Sequence, residues 1–218
     1  MKIHFIFLPC TAICLLAACL PQTGAIASTD TGTASKHDIA AATQDFAIFA
    51  GGCFWCVEAD FDKVHGVTGT VSGYIGGKVV NPTYEQVSQG QTGHIEAVKV
   101  YYDSTKTNYA RLLAAFWPMI DPLASNRQFC DMGSQYRSAI FYANEEQRQQ
   151  AQASLAALDD SGRFSLPVVT ELLPVTMFYP AEEYHQDYYL KNPLRYRFYR
   201  SRCGRDQRLT ELWGQHRK

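Results

Sequence analysis

Two cysteines stand three residues apart in the run Gly51-Gly52-Cys53-Phe54-Trp55-Cys56, the spacing of a redox pair, with two bulky aromatics between them. The short apolar run Phe46-Ala47-Ile48-Phe49-Ala50 before the glycines reads as a buried strand. After them Cys53, Val57, Phe61 and Val64 recur at helical spacing. Cys53 is therefore expected at a strand-to-helix turn, where unpaired backbone N–H groups and the positive helix end favour thiolate over thiol. The glycines permit close approach of a ligand to the backbone. A buried, inert cysteine is the bland alternative. A structural zinc site wants a second close Cys/His pair, which the widely spaced His185 and Cys203 do not supply.

A Cys-x-x-Cys pair alone does not say what is attacked, because disulfide exchangers, zinc knuckles and peroxide reducers share it. The clearest strand, residues 94–102, narrows the choice. Its alternation puts Glu96 on the face of Val98, Val100 and Tyr102. A carboxyl group on an apolar face is desolvated, its pKa rises, and it can donate a proton near neutrality. The competing expectation is a Glu96 that faces solvent or pairs with Arg137. A thiolate beside a neutral carboxylic acid suits attack on an atom bearing oxygen as a poor leaving group, and a sulfoxide is such a substrate.

The elements that must position these groups alternate between helix and strand without internal repeats. After the Cys53 helix come a strand at 67–74, a turn at Gly76-Gly77, and a helix capped by Asn81 with Pro82 in its first turn, carrying Tyr84 and Val87. Helices are expected at 108–117, 145–158 and 181–190, and strands at 138–142 and 168–173. With 218 residues, 46% apolar and 19% charged, the chain can bury a full core as one domain. The fold class is α+β, a two-layer sandwich of helices on a mixed β-sheet with a ferredoxin-like plait core.

Residues 1–27 stand apart. Lys2 is followed by two apolar runs broken by Pro9, the pattern of a secretory signal and not of a spanning helix. Leu16-Ala17-Ala18-Cys19 reads as a lipobox that would anchor the protein to a membrane through a lipidated Cys19; Ala25-Ile26-Ala27 offers ordinary cleavage instead. Residues 28–44, rich in Ser, Thr and Ala, form a linker, and the domain spans 45–218. The protein is thus expected to be exported to a bacterial periplasm or envelope. A formal net charge of -1 gives no footprint for nucleic acid, and the basic cluster at 195–205 reads as a solvated surface. Four cysteines lie beyond the leader: Cys53, Cys56, Cys130 and Cys203.

Several segments, in order from about Phe46 to Pro193, resemble the A-type peptide-methionine (S)-S-oxide reductases. They are Gly52-Cys53-Phe54-Trp55-Cys56-Val57-Glu58, Ser72-Gly73-Tyr74 with Gly76-Gly77, Asn81-Pro82-Thr83-Tyr84, Gly93-His94-Ile95-Glu96-Ala97-Val98, Asp131-Met132-Gly133-Ser134-Gln135-Tyr136-Arg137-Ser138 and Tyr179-Pro180-Ala181-Glu182-Glu183-Tyr184-His185-Gln186-Asp187-Tyr188. The resemblance implies reduction of methionine-(S)-sulfoxide, free or in proteins, by a monomer with no metal or bound organic cofactor. Cys53 would be the nucleophile and pass through a sulfenic acid. Glu96 would protonate the oxygen with help from the Tyr84 and Tyr136 hydroxyls. Phe54 and Trp55 would enclose the methyl group, and Asp131 would line the pocket. Cys56 would then close a disulfide, reduced by a thioredoxin-like partner, with Cys203 as the alternative resolving thiol. Cys130 is either inert or a third participant, and His185 either touches the site or is structural. Two other readings stand beside this one: a thioredoxin-like disulfide oxidoreductase built on Cys53 and Cys56, and a catalytically silent envelope binding module.

Overall fold

The computed structural model describes residues 44–214; the leader expected at 1–27, its lipobox at Cys19 and nearly all of the linker lie outside the described residues. In chain order the elements are β1 (Asp45–Gly51), α1 (Phe54–Phe61), β2 (Val67–Ile75), α2 (Tyr84–Ser88), β3 (Ile95–Tyr102) and α3 (Tyr109–Phe116). A small hairpin, β4 (Arg127–Gln128) and β5 (Asp131–Met132), precedes β6 (Ser138–Tyr142), α4 (Glu145–Asp160), β7 (Glu171–Pro174) and β8 (Tyr179–Pro180). The chain ends in α5 (Tyr188–Lys191), α6 (Pro193–Arg202) and α7 (Arg205–Trp213).

The sheet order is β7-β6-β1-β3-β2-β8, antiparallel except for the β6–β7 pair. Its centre, β6-β1-β3-β2, is connected as β1-α1-β2-β3-α3-β6, which is the expected plait on a mixed sheet. β1 lies between two partners, so both its faces are buried and it reads as a continuous apolar run. Ala47 and Phe49 face the helices, where Phe49 stacks on Phe61 of α1 and Phe116 of α3, each at 4.9 Å. Ile48 and Ala50 face the other way, with Ile75, Ala97 and Phe141, under the segment carrying Val175 and Phe178. Each buried ring or branched chain contributes roughly 1.5–3 kcal/mol. Asn108 and Asn144 cap α3 and α4 by accepting the N–H groups of Arg111 and Gln147, and the Gln147 amide then donates to Phe46 O, docking α4 on β1.

Three local expectations are corrected. Asn81 does not cap α2: it sits at φ 48°, and Thr83 caps instead through a reciprocal box with Gln86. The helix expected at 181–190 shrinks to α5, because Asp187 adopts a left-handed conformation (φ 52°) that interrupts it. The basic cluster is not a solvated surface throughout. Arg200 is bonded to Asp60 and Asp206, and Arg205 is buried.

Cys203, at the end of α6, is disulfide-bonded to Cys130, 73 positions earlier and next to β5. A cross-link over that separation removes loop-closure entropy worth about 4 kcal/mol from the unfolded chain. The Cys130→Ser/Cys203→Ser variant is therefore expected to unfold at lower urea, with an unfolding free energy reduced by up to that amount. Reduction of the wild type should reproduce the shift, and the variant itself should not respond to reductant.

Candidate active site

The turn that carries Cys53 depends on two glycines. Gly52 has φ +80°, and a Cβ there would lie 2.5 Å from Cβ of Gln128; one on Gly51 would lie 2.7 Å from Ile120. Gln128 cannot yield, since it is buried and its amide bonds both the N–H and the carbonyl of Asp121. Gly52→Ala combines left-handed strain with this clash. We expect it to misplace Cys53 and lower kcat/KM by about 10²-fold, read alongside a thermal melt that still shows one cooperative transition.

Cys53 is the N-cap residue of α1, at the strand-to-helix turn the sequence predicts, and Cys56 lies in the first turn. Both are free thiols and both are buried. The helix end alone does not leave Cys53 ionised. Burial, the hydrogen bond to Cys56, and the nearby charges of Cys56, Glu96 and Asp131 push its thiol well up. Cys56 goes the other way, down to about 7, because it accepts the Cys53 bond and, against its own burial, feels Arg205 and Arg200. The two thiols hydrogen-bond to each other, with Cys53 as the donor.

Glu96 lies on the helix-facing side of β3, as the alternation requires, and is 2% exposed. Its Oε2 accepts the backbone N–H of Phe54, the residue after Cys53, at 3.1 Å. Burial pushes its carboxyl up to about 8, opposed by that bond. The alternative pairing with Arg137 is not formed, since Arg137 bonds Glu171 at 3.1 Å. Tyr84 and Tyr136 interact through their hydroxyls, and both feel Glu96 and Cys53. Burial pushes Tyr84 up to about 12 and raises Tyr136 as well, so both remain proton donors at neutral pH.

Phe54 is buried, whereas Trp55 is partly open. The Trp55 indole N–H donates to Nδ1 of His185 at 3.0 Å, and its ring stacks on Tyr188 at 3.7 Å. Burial lowers the His185 pKa, so the imidazole is neutral and serves as the acceptor that orients Trp55. His185 also packs against Phe54 and Tyr84, so it forms part of the aromatic wall. Asp131 accepts the Tyr199 hydroxyl at 2.7 Å, and the Cys53 backbone and Arg205 also stabilise its charged form; burial outweighs them and raises its pKa.

The structure therefore brings Cys53, Cys56, Glu96, Phe54, Trp55, Tyr84, Asp131 and Tyr136 into one site. Cys203 is held in the disulfide with Cys130 and has no free thiol in this state. Cys130, Asp131 and Cys203 also have the residue types and spacing of a metal site, but both sulfurs are consumed by that bond. Sequence reasoning missed Tyr188, Tyr199 and Arg205 of the tail, and Glu182, whose carboxylate takes the N–H of Tyr84 at 2.8 Å and the Tyr74 hydroxyl at 2.9 Å. Tyr74, Glu182 and Tyr188 lay inside quoted motifs. Tyr199 lies where neither period persists, and nothing in the sequence marks Arg205 as buried.

Residues 45–217 match the family described as peptide methionine sulfoxide reductase. The chain is 52% identical over 168 residues to the peptide methionine sulfoxide reductase MsrA of Halalkalibacterium halodurans, covering 77% of this chain and 96% of that protein. It is 50% identical over 167 residues to MsrA of Listeria innocua, covering 77% and 94%. Among solved structures, methionine sulfoxide reductase A of Corynebacterium diphtheriae superposes with a TM-score of 0.66 at 34% identity, over 69% of this chain and 76% of that one. Reduced Mxr1 from Saccharomyces cerevisiae gives 0.65 at 29% identity, over 70% and 87%.

Proposed function

Because this chain belongs to the peptide methionine sulfoxide reductase family and reduces methionine sulfoxide, we propose that the chemistry begins with attack of the Cys53 sulfur on the sulfoxide sulfur. Cys56 accepts the Cys53 proton as the attack begins, and Glu96 donates a proton to the sulfoxide oxygen while Tyr84 and Tyr136 hydrogen-bond to it. The hydroxyl then moves from the substrate sulfur to the Cys53 sulfur as the S–O bond and the newly formed sulfur–sulfur bond break, so that methionine leaves as the thioether and Cys53 is left as a sulfenic acid. The Cys56 thiol attacks that sulfur, water leaves, and a Cys53–Cys56 disulfide forms, which a thioredoxin-like dithiol then reduces. The observation that carries this reading is the buried carboxyl of Glu96, pushed up to about 8 and bonded at 3.1 Å to the residue after Cys53. It is a neutral acid held beside a sulfur nucleophile.

Phe54 and Trp55 form the wall against the substrate methyl group, with Trp55 fixed by His185 and Tyr188. Asp131 lines the same pocket. The enzyme acts as a monomer on the S epimer, free or in a polypeptide. The test is a racemic sulfoxide with dithiothreitol, following each epimer: consumption of the S epimer alone supports the reading, and consumption of the R epimer sinks its stereochemical part. Mass mapping of the disulfide formed after one turnover assigns the resolving thiol. A Cys53–Cys203 bond would overturn the role of Cys56.

The apolar leader supports an exported enzyme that repairs oxidised envelope proteins, tethered through a lipidated Cys19. Fractionation of cells expressing the full chain and its Cys19→Ala variant checks this. The wild type is expected in the membrane fraction and the variant in the soluble envelope fraction, while a cytosolic wild type would refute export.

A further inference from the structure

The hairpin β4–β5 pairs Gln128 with Asp131 and turns through Phe129 and Cys130, where Phe129 takes a left-handed φ of 54°. Its tip meets the end of α6. There Cys130 Sγ, Cys203 Sγ and a carboxylate oxygen of Asp131 all lie within 4.8 Å of one another. Asp131 Oδ1 is 3.8 Å from Cys130 Sγ, whereas Oδ2 accepts the Tyr199 hydroxyl at 2.7 Å. Cys130 is exposed, and Asp131 and Cys203 are half-buried. A cleft of about 590 Å³, lined among others by Arg127, Phe129, Cys203 and Gly204, opens beside them. The two sulfurs are bonded to each other in this state, and reduction would leave two thiols and a carboxylate facing one point.

Two thiolates and a carboxylate are donors for Zn²⁺ and its thiophilic relatives, not for Mg²⁺ or Ca²⁺. With Zn–S near 2.3 Å and Zn–O near 2.0 Å, the donors of a tetrahedral site stand roughly 3.5–3.8 Å apart. Asp131 Oδ1 is already at that distance from Cys130 Sγ. The sulfurs, once reduced, need separate only to ordinary non-bonded contact. The outer contacts of such a site are also in place. The backbone N–H of Cys130 donates to Cys203 Sγ at 3.2 Å, and Tyr199 holds the far oxygen of Asp131. Arg127 donates to the Phe129 carbonyl at 2.9 Å, and the Arg205 guanidinium lies over the Phe129 ring, 4.5 Å from its centroid. Two cations thus flank a centre that, with a divalent ion on three anionic ligands, carries one net negative charge. The cleft supplies the entry path.

We propose that Cys130, Cys203 and Asp131 form a redox-gated site for a divalent cation of the Zn²⁺ class, closed while the disulfide stands and opened when a dithiol reduces it. The dithiol gives up two electrons and two protons as its own disulfide forms, and Cys130 and Cys203 become thiols. The incoming ion displaces those two thiol protons, takes Asp131 as its third ligand and keeps water in the fourth position. Occupancy ties up a carboxylate of the substrate pocket, so the loaded enzyme is inhibited. That consequence rests on the reading that Asp131 lines the pocket; the site itself does not.

The test removes the other thiol pair of the domain. Full-length Cys53→Ser/Cys56→Ser protein is titrated anaerobically with Co²⁺, a coloured stand-in for Zn²⁺, before and after reduction by a phosphine that is then removed. The reduced form is expected to take up one equivalent more than the disulfide form, with thiolate-to-cobalt charge-transfer absorption that Zn²⁺ abolishes. Adding Cys130→Ser should eliminate that equivalent, while any uptake by Cys10, Cys14 and Cys19 of the leader is common to both proteins and subtracts out. Adding Asp131→Asn should keep the thiolate absorption but weaken binding at least about tenfold, the loss that even an outer contact produces. Equal uptake by the reduced and disulfide forms, an extra equivalent that survives Cys130→Ser, or a bond that the phosphine opens only by unfolding the chain would overturn the proposal. If Cys130→Ser does not fold, Asp131→Asn decides, and unchanged affinity there refutes the ligand set. For the consequence, phosphine-reduced wild type is given one equivalent of methionine sulfoxide with and without Zn²⁺. Methionine release is expected to fall with Zn²⁺ and recover on chelation, and Cys130→Ser/Cys203→Ser should need at least about tenfold more Zn²⁺ for the same loss. Cobalt uptake without inhibition of the wild type would instead sink the pocket role of Asp131 and leave the site standing.

Discussion

Cys53→Ser abolishes turnover, with a loss of at least about 10³-fold in kcat/KM at any pH. The reasoning is chemical and not steric. Serine is nearly isosteric, so the buried turn between β1 and α1 keeps its packing, and the variant should melt close to wild type. A serine hydroxyl, however, neither ionises near neutrality nor forms a stable oxygen adduct that a second thiol could resolve. Cys56→Ser provides the contrast. It keeps the attacking sulfur and should release close to one equivalent of methionine, then stall as a Cys53 sulfenic acid that a sulfenic-selective reagent captures. The base it removes also slows that first equivalent. Stoichiometric release from Cys53→Ser would mean that another sulfur, with Cys56 nearest, does the chemistry.

Much of this site was legible because its parts lie on regular elements. Period two on β3 assigns Glu96 to the apolar face without further information, and a strand, two glycines and a helical repeat assign Cys53 to a helix end. The ordered motifs then bring Tyr84, Asp131 and Tyr136 to the same place. What local pattern misjudged was electrostatic. A helix end favours a thiolate, but the same turn is roofed by the tail, and its desolvation, together with the Cys56 interaction and the Glu96 and Asp131 carboxyls, pushes Cys53 up.

The tail was illegible for a physical reason. Hydrophobic periodicity would turn Leu194 and Phe198 inward, yet they are 73% and 69% exposed, while Tyr196, Tyr199 and Arg200 of the same helix face the thiols and Asp131. The inner face of α6 is built from hydroxyls and a guanidinium because what it covers is polar: a thiol pair and two carboxylates, Asp60 and Asp131. Four cysteines also allow three pairings, and nothing local prefers Cys130–Cys203. Two segments far apart in sequence had to be seen together before the partner of Cys203 became evident.

Glu96→Gln is the second large effect, and its sign differs between activity and stability. As a proton donor, Glu96 works only while protonated. Wild-type activity should therefore fall as pH rises through about 8, the value to which burial pushes this carboxyl. Glutamine accepts the Phe54 N–H equally well but cannot deliver a proton, so kcat/KM should drop by about 10² to 10⁴-fold and the alkaline limb assigned to Glu96 should vanish. Stability moves the opposite way. A carboxyl with a higher pKa folded than unfolded holds its proton better in the folded chain. Between the ordinary carboxylate range and about 8 the folded state therefore binds more protons, and stability declines as pH rises through that window. Glutamine has no charge to bury, so the variant should melt above wild type at pH 8 to 9 and converge with it near pH 4. A variant that is less active and more stable at alkaline pH would mark Glu96 as a group kept at a cost to the fold. Full retained activity would remove it as the acid and leave Tyr84 and Tyr136, both proton donors at neutral pH, as the candidates.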